Sequence, residues 1–139
     1  MLFRSRRRSW AEIGERVARL AGGLRTRGVQ DGDRVAILSF NSDRYLELYL
    51  ATGWAGGVIV PLNIRWSALE NEDALRDCRA SVLLVDKAFA QVGTQLAGAI
   101  PGLKLIYADD GEVPAGMESY EDLVAGSAPV ADEIGRAHV

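Results

Sequence analysis

Three short apolar runs, separated by two stretches of helical period, constrain the fold of this chain most. The runs are Val35–Leu38, Val58–Pro61 and Val82–Val85. They are uncharged and rich in β-branched residues, which is typical of strands that are buried on both faces. Such strands belong to parallel sheets covered by helices. We therefore predict an α/β fold with a partial doubly wound, mostly parallel sheet and helices on both faces.

Two capping boxes mark helix starts. In Ser9–Glu12 and Ser67–Glu70, the serine hydroxyl and the glutamate carboxylate can each accept a hydrogen bond from a backbone N–H group. The first box opens an apolar stripe that predicts one buried helix face, with Arg16 and the other charged residues mostly in water. The stripe consists of Trp10, Ile13, Val17, Leu20 and Leu24. The segment 42–55 has apolar residues on two faces, which indicates a helix wedged between layers.

The second half of the chain predicts further helices and one more strand. We expect helices at about residues 68–78 and 88–99, a fourth strand at 103–108, and a short helical turn at 119–123. Gly28 is expected to follow the first helix in a left-handed conformation. The three tryptophans lie in or beside helical stripes, so packing roles are expected for Trp10, Trp54 and Trp66.

The composition excludes several classes of protein. The chain has 139 residues, 48% of them hydrophobic and 25% charged, as in an ordinary globular domain. Its net charge of -3 argues against a nucleic-acid binder. Arg6–Arg8 is interpreted as a solvated strand or turn before the first helix, with an anion contact or a nucleic-acid role as the alternative. No apolar run reaches the roughly 18 residues that a transmembrane segment requires. We expect a cytoplasmic protein, since Cys78 is the only cysteine and no internal disulfide can form.

Several segments, in order, resemble the N-terminal part of AMP-forming acyl-CoA synthetases, which belong to the adenylate-forming superfamily. They are Ser9–Glu12, Gly32–Leu38, Asn41–Ser42, Ala55–Gly57 and Val60–Asn63. Within that superfamily, Asn63–Ser67 followed by Glu70–Asn71 and Leu75–Cys78 looks most like fatty-acyl-CoA ligases.

The resemblance implies a two-step ligase for a small-molecule carboxylic acid. The carboxylate attacks the α-phosphate of ATP, with Mg²⁺, to give an acyl-adenylate, and coenzyme A then displaces AMP. The family places this chemistry on a Ser/Thr/Gly-rich loop with a lysine, an adenine-side motif, a ribose-binding aspartate and a lysine in a small C-terminal domain. None of these motifs is in the sequence, and Lys87 and Lys104 follow no such loop. We therefore assign no catalytic, cofactor-binding or metal-ligating residue, and expect the chain to be inactive alone and to bind none of these ligands tightly.

Two residues are weaker candidates for a ligand cleft. Asn63 and Arg65 follow the second apolar run, and ligands of open α/β sheets bind beyond the carboxyl ends of strands. The alternative is that they fix their own loop by hydrogen bonds. Asp86 also follows a strand, and we predict that it caps a helix or closes a turn.

The end of the sequence suggests a cut chain. Residues 133–139 can be back-translated into the start of a widely used sequencing adapter that continues with a stop codon. We therefore expect residues 1–132 to be a partial N-terminal AMP-binding domain and residues 133–139 to be a non-native tail. The uncovered apolar surface of such a fragment is expected to let it self-associate.

Two other interpretations remain open. One is a free-standing flavodoxin-like binding or interaction module, which would need a phosphate-binding loop or an acidic pocket at the carboxyl edge of the sheet. The other is a structural half that associates with a separately encoded partner.

Overall fold

The computed structural model describes residues 2–3 and 6–130, and a five-stranded, wholly parallel sheet lies at its centre. Two short antiparallel strands, β1 (Leu2–Phe3) and β2 (Arg6–Arg7), come first in the chain. The sheet has the order β4-β3-β5-β6-β7. Its strands are β3 (Arg34–Leu38), β4 (Val58–Pro61), β5 (Val82–Val85), β6 (Lys104–Tyr107) and β7 (Met117–Ser119).

Helices cover both faces of the sheet. They are α1 (Trp10–Thr26), α2 (Asp43–Trp54), α3 (Ala68–Cys78), α4 (Ala90–Ala99) and α5 (Tyr120–Gly126). Buried residues of α1, α2 and α5 form one apolar core with one face of the sheet, and those of α3 and α4 form a second core with the other face. The predicted doubly wound α/β fold is confirmed.

The two cores follow from the alternation of side chains along each strand. In β3, Val35 and Ile37 belong to the first core, whereas Ala36 and Leu38 belong to the second. All four are at most 1% exposed. Fully burying a side chain such as Leu38 contributes about 1.5–3 kcal/mol, so both faces of this central strand stabilise the fold.

The helix boundaries are set by the predicted caps. The hydroxyl oxygens of Ser9 and Ser67 accept hydrogen bonds from the backbone N–H groups of Glu12 and Glu70, at 3.1 and 3.2 Å. In return, each glutamate carboxylate accepts a hydrogen bond from the backbone N–H of its serine. Such a cap contributes about 1 kcal/mol. Gly28, with φ 96°, follows α1 in the left-handed region, as predicted.

Four expectations about burial are wrong. Trp10 is 71% exposed, because it is the first residue of α1 and lies beyond the sheet-covering part of the stripe. The outer side of α2 is open where Tyr49 and Leu50 project, so this helix is not wedged between layers. Val58 in β4 is also exposed, since β4 is an edge strand and only the inner strands are buried on both faces. Trp66 is 43% exposed, whereas Trp54 packs against the first core as expected.

At the β7 edge of the sheet, the sequence predicts fewer elements than the structure contains. Met117–Ser119 has no apolar run, yet it becomes a strand because it pairs with β6. The predicted helical turn at 119–123 is correct and extends to Gly126, with Ser119 as its N-terminal cap. The helix expected at 88–99 begins as a 3₁₀ turn at Lys87–Phe89 before α4.

Candidate functional site

The order of the strands places a topological switch point between β3 and β5. The chain leaves β3 through α2 towards β4 on one side, and then crosses back through α3 to β5 on the other. In open α/β sheets, ligands bind at such a point, outside the carboxyl ends of the strands. The loops at this edge are residues 39–42, 62–67, 86–89 and 108–110.

Asp86 fastens the two loops at the switch point to each other. One carboxylate oxygen accepts a hydrogen bond from the backbone N–H of Phe40, at 3.0 Å, and the other accepts from the backbone N–H of Phe89, at 3.2 Å. Asp86 is buried and caps the 3₁₀ turn, as predicted. The loop after β3 is thereby tied to the end of β5.

An aromatic contact between Phe40 and Phe89 also joins the two loops at the switch point. The rings of Phe40 and Phe89 lie with their centroids 5.2 Å apart and their planes at 57°. This tilted arrangement suits the quadrupoles of two aromatic rings and adds about 0.5–1.5 kcal/mol beyond area burial. The sequence gives no hint of the pair, because its members are 49 positions apart and lie in two different loops.

Asn63 and Arg65 lie in the loop after β4, and both are exposed. The side-chain oxygen of Asn63 accepts a hydrogen bond from the backbone N–H of Arg65, at 2.9 Å. This local turn is the loop-fixing role that was the alternative for Asn63. A role for either side chain at a ligand cleft stays a prediction.

The next loop along this edge is organised by Asp109. Its two carboxylate oxygens accept hydrogen bonds from the backbone N–H groups of Lys87, at 3.0 Å, and Asp110, at 2.8 Å. The carboxylates of Asp86 and Asp109 therefore both accept hydrogen bonds from backbone N–H groups. A flavodoxin-like module would need a phosphate-binding loop or an acidic pocket at this edge, and these two carboxylates do not supply the acidic pocket.

Beside this edge, an ionic cluster joins three helices that are distant in sequence. Arg16 of α1 donates to both oxygens of Glu47 in α2, at 2.7 and 3.0 Å, and to both oxygens of Glu121 in α5, at 2.9 Å each. Arg44 donates to Glu121 at 2.9 Å and to Asp110 at 3.0 Å. The expectation that Arg16 stays mostly in water is wrong, since it is the shared partner of two carboxylates.

Charges in this cluster stabilise one another. Burial opposes the ionisation of Glu121, but the hydrogen bonds from Arg16 and Arg44 outweigh it and lower its pKa to about 2. Burial likewise opposes the charge on Arg16, yet its bonds to Glu47 and Glu121 raise its pKa. Tyr120 donates its hydroxyl proton to Glu47 at 2.8 Å, and burial together with the charge of Glu47 raises the pKa of this phenol well above its ordinary value.

The described residues offer no site for the Mg²⁺ that the resemblance implies. Within residues 2–3 and 6–130, no group of three or more His, Cys, Asp or Glu side chains could hold a metal ion. The acidic side chains at the carboxyl edge are engaged with backbone N–H groups and arginines instead. We therefore assign no step involving the metal to these residues.

The same part of the chain contains no helix that is both long and apolar enough to cross a lipid bilayer. A cytoplasmic setting stays a prediction. The proposed tail, residues 133–139, lies outside the described residues.

Comparison with known proteins identifies relatives that carry out one kind of reaction. The chain is 43% identical over 118 residues to feruloyl-CoA synthase from Amycolatopsis, an alignment that covers 85% of this chain and 23% of the synthase. It is 35% identical over 122 residues to the long-chain-fatty-acid–CoA ligase of Thermus thermophilus, covering 88% of this chain and 23% of that ligase. The chain thus spans about a quarter of the length of these relatives.

Solved structures show the same fold. ATP-bound MatB from Rhodopseudomonas palustris superposes with a TM-score of 0.74 at 32% identity, over 89% of this chain and 24% of MatB. The family described as AMP-binding enzyme matches residues 1–134. The chain belongs to the AMP-binding enzyme family and corresponds to the N-terminal portion of its acyl-CoA ligases.

Proposed function

We propose that this chain is the N-terminal quarter of an AMP-forming ligase that activates a carboxylic acid and transfers it to coenzyme A. The observation that supports the proposal is the family match over residues 1–134, together with relatives that are CoA ligases for feruloyl, fatty and other acids.

The proposed reaction has two steps. A carboxylate oxygen of the acid attacks the α-phosphorus of ATP, and the bond from that phosphorus to the pyrophosphate oxygen breaks. The thiol of coenzyme A then loses its proton and attacks the acyl carbonyl carbon, and AMP leaves with the electrons of the broken C–O bond. Mg²⁺, when bound to the complete ligase, would offset the charge on the phosphate oxygens. In this proposal the segment builds the scaffold, since the sequence motifs of the family's chemistry lie outside it.

The relatives support two candidate classes of acid, fatty and aromatic. The local pattern around Asn63–Ser67 supports a fatty acid, as does the similarity to the Thermus ligase. The higher identity to feruloyl-CoA synthase, 43% against 35%, favours an aromatic hydroxycinnamate. We propose both as substrates to be tested, with the aromatic acid as the second candidate.

A chimera tests the proposal. Residues 1–130 of this chain replace the aligned N-terminal quarter of the Amycolatopsis synthase, and the rate of acyl-CoA formation is measured with ferulate and with a long-chain fatty acid. Activity above that of the synthase lacking its N-terminal quarter supports the proposal. A folded chimera that is inactive with both acids contradicts it.

The 139-residue chain provides the complementary measurement. In an ATP–pyrophosphate exchange assay, we expect it to show no exchange above background with either acid. Clear exchange would contradict the proposal that this segment is a scaffold and that the residues for the chemistry lie in the rest of the ligase.

A further inference from the structure

Three loops at the carboxyl edge of the sheet are tied to one another by side chains. They follow β3, β5 and β6, and are residues 39–42, 86–89 and 108–110. Asp86, after β5, accepts a hydrogen bond from the backbone N–H of Phe40 at 3.0 Å. Asp109, after β6, accepts one from the backbone N–H of Lys87 at 3.0 Å. The loop after β5 is thus joined to the loops on both of its sides.

A third contact closes these ties into a ring. Arg44, in the first turn of α2, donates from Nη2 to the carboxylate of Asp110 at 3.0 Å. Asp110 follows Asp109 directly, and Arg44 lies four positions after Phe40. We call this closed circuit the carboxyl-edge ring, and its members are Phe40, Arg44, Asp86, Lys87, Asp109 and Asp110. Each of the three loops is therefore held at two points.

The ring has a buried inner side and a solvated outer side. Arg44 and Asp86 are buried, and Nε of Arg44 also donates to Glu121 of α5 at 2.9 Å. The side chain of Asp110 is 76% exposed. An ion pair with one solvated partner contributes little to global stability. The contact between Arg44 and Asp110 is therefore one that a substitution at an exposed position can open.

We propose that the carboxyl-edge ring holds these three loops in the arrangement that binds ligand, and that Arg44 and Asp110 are positioning residues of the complete ligase. The proposal rests on the proposed function, which supplies two ligands that share an adenosine phosphate, ATP and coenzyme A. Ligands of open α/β sheets bind beyond the carboxyl ends of the strands, next to a switch point such as that between β3 and β5. Loops that are already held need no ordering when the ligand binds, so affinity is higher.

The charge of Asp110 separates positioning from plain electrostatics. A nucleotide is an anion, so a carboxylate beside its site weakens binding by repulsion. Asp110→Ala removes that repulsion, and electrostatics alone would lower the KM for the nucleotide. A positioning role has the opposite sign, because an open ring lets the loops leave the arrangement that binds the ligand.

Kinetics of the chimera with the Amycolatopsis synthase test the proposal. We expect Asp110→Ala to raise the KM for ATP or for coenzyme A about five- to tenfold, with kcat within about twofold and the melting temperature within about 2 °C. Separate titrations of the two nucleotides show which one binds beside the ring. Glu15→Ala is the control, since it removes an exposed ion pair with Arg19 on α1 and should leave both KM values within about twofold. Unchanged or lower KM values in Asp110→Ala overturn the proposal.

Two further variants test the ring itself. Asp110→Asn also lacks the charge but keeps an oxygen that can accept the bond from Arg44, so its KM values should stay within about twofold of the parent's. Asp109→Ala opens the ring at a second contact. Its effect combined with that of Asp110→Ala should be well below the product of the two single effects, because the first substitution has already opened the ring. An Asp110→Asn variant as impaired as Asp110→Ala, or fully multiplicative effects, contradicts the proposal.

Activity separates this proposal from the proposed function. An active chimera whose KM values do not change in Asp110→Ala contradicts the positioning role alone. A folded chimera that is inactive with both acids contradicts the proposed function, and the dissociation constants of ATP and coenzyme A then give the same comparison of variants. Failure to bind either nucleotide overturns both proposals.

Discussion

Arg16 donates two hydrogen bonds to Glu47, and this parallel pair joins α1 to α2 in the ionic cluster. Glu47 is only 1% exposed in its side chain, so its charge depends on the partners that surround it. Paired and hydrogen-bonded charges tolerate burial, whereas a buried charge without its partner strongly destabilises the fold. The same guanidinium holds Glu121, so α5 is attached to the first two helices by charge as well as by apolar packing.

Substituting Glu47 by glutamine should be costly. Glu47→Gln removes the charge that faces Arg16 and disturbs the acceptor of the Tyr120 hydroxyl, and we expect the free energy of unfolding to fall by about 2–3 kcal/mol. Glu15→Gln is the control, since Glu15 forms an exposed i,i+4 pair with Arg19 and should change it by less than about 0.5 kcal/mol. Urea unfolding measures both. Equal losses would show that the cluster contributes no more than a surface pair.

Acid should weaken the attachment of α5. The pKa of Glu121 is about 2 in the folded protein against an ordinary value of 4.5, so its charge stabilises the fold above pH 4.5 and this contribution is lost as the pH falls towards 2. We expect the urea midpoint of the protein to drop over that interval more steeply than that of Glu121→Gln. The comparison isolates Glu121 because all other carboxylates titrate in both proteins. Parallel curves for the two proteins would argue against the lowered pKa.

Removing the carboxylate of Asp86 should separate the two loops at the switch point. Asp86→Ala leaves the backbone N–H groups of Phe40 and Phe89 without their acceptor, and we expect a loss of about 2 kcal/mol in the free energy of unfolding. Asp77→Ala, at an exposed position of α3, is the control and should be close to neutral. A near-neutral Asp86→Ala would mean that water replaces the carboxylate at no cost.

The sheet could be predicted because the buried part of each inner strand is an apolar run, and the charged residues Arg34 and Lys104 stand only at the exposed starts of β3 and β6. β3, β5 and β6 need no information beyond their own residues, since burial on both faces demands such runs. β7 could not be predicted, because Met117–Ser119 is a strand only through its pairing with β6. The exposure of Val58 was equally hidden, since the composition of a strand does not tell whether it lies in the middle or at the edge of a sheet.

The sequence predicts which residues follow strands at the carboxyl edge, but not the side-chain contacts that they and the neighbouring helices form. Parallel topology alone indicates that Asn63 and Asp86 follow strands at the same edge. The ionic cluster was missed because Arg16, Glu47 and Glu121 come from three helices, and each looks like an ordinary surface residue in its own segment. Only the packing of α5 against α1 brings them together.

Gly22 of α1 has no room for a side chain. A Cβ atom added there would lie 1.9 Å from the carbonyl oxygen of Ala128, which is far inside van der Waals contact. Gly22→Ala must therefore push residues 127–130 away from α1 and weaken the bond between Val130 and Trp54. Although alanine favours a helix by up to about 1 kcal/mol, overpacking costs about 1–3 kcal/mol, and we expect a net loss of stability.

Gly14 in the same helix provides the matched control for this substitution. No atom lies within 4 Å of a Cβ added to Gly14, so Gly14→Ala should stabilise the protein by about 0.5–1 kcal/mol through helix propensity alone. Thermal unfolding followed by tryptophan fluorescence measures both variants, and in Gly22→Ala the emission of Trp54 should also shift as its indole loses the carbonyl of Val130. If both substitutions stabilise the protein equally, residues 127–130 do not lie against α1 in solution.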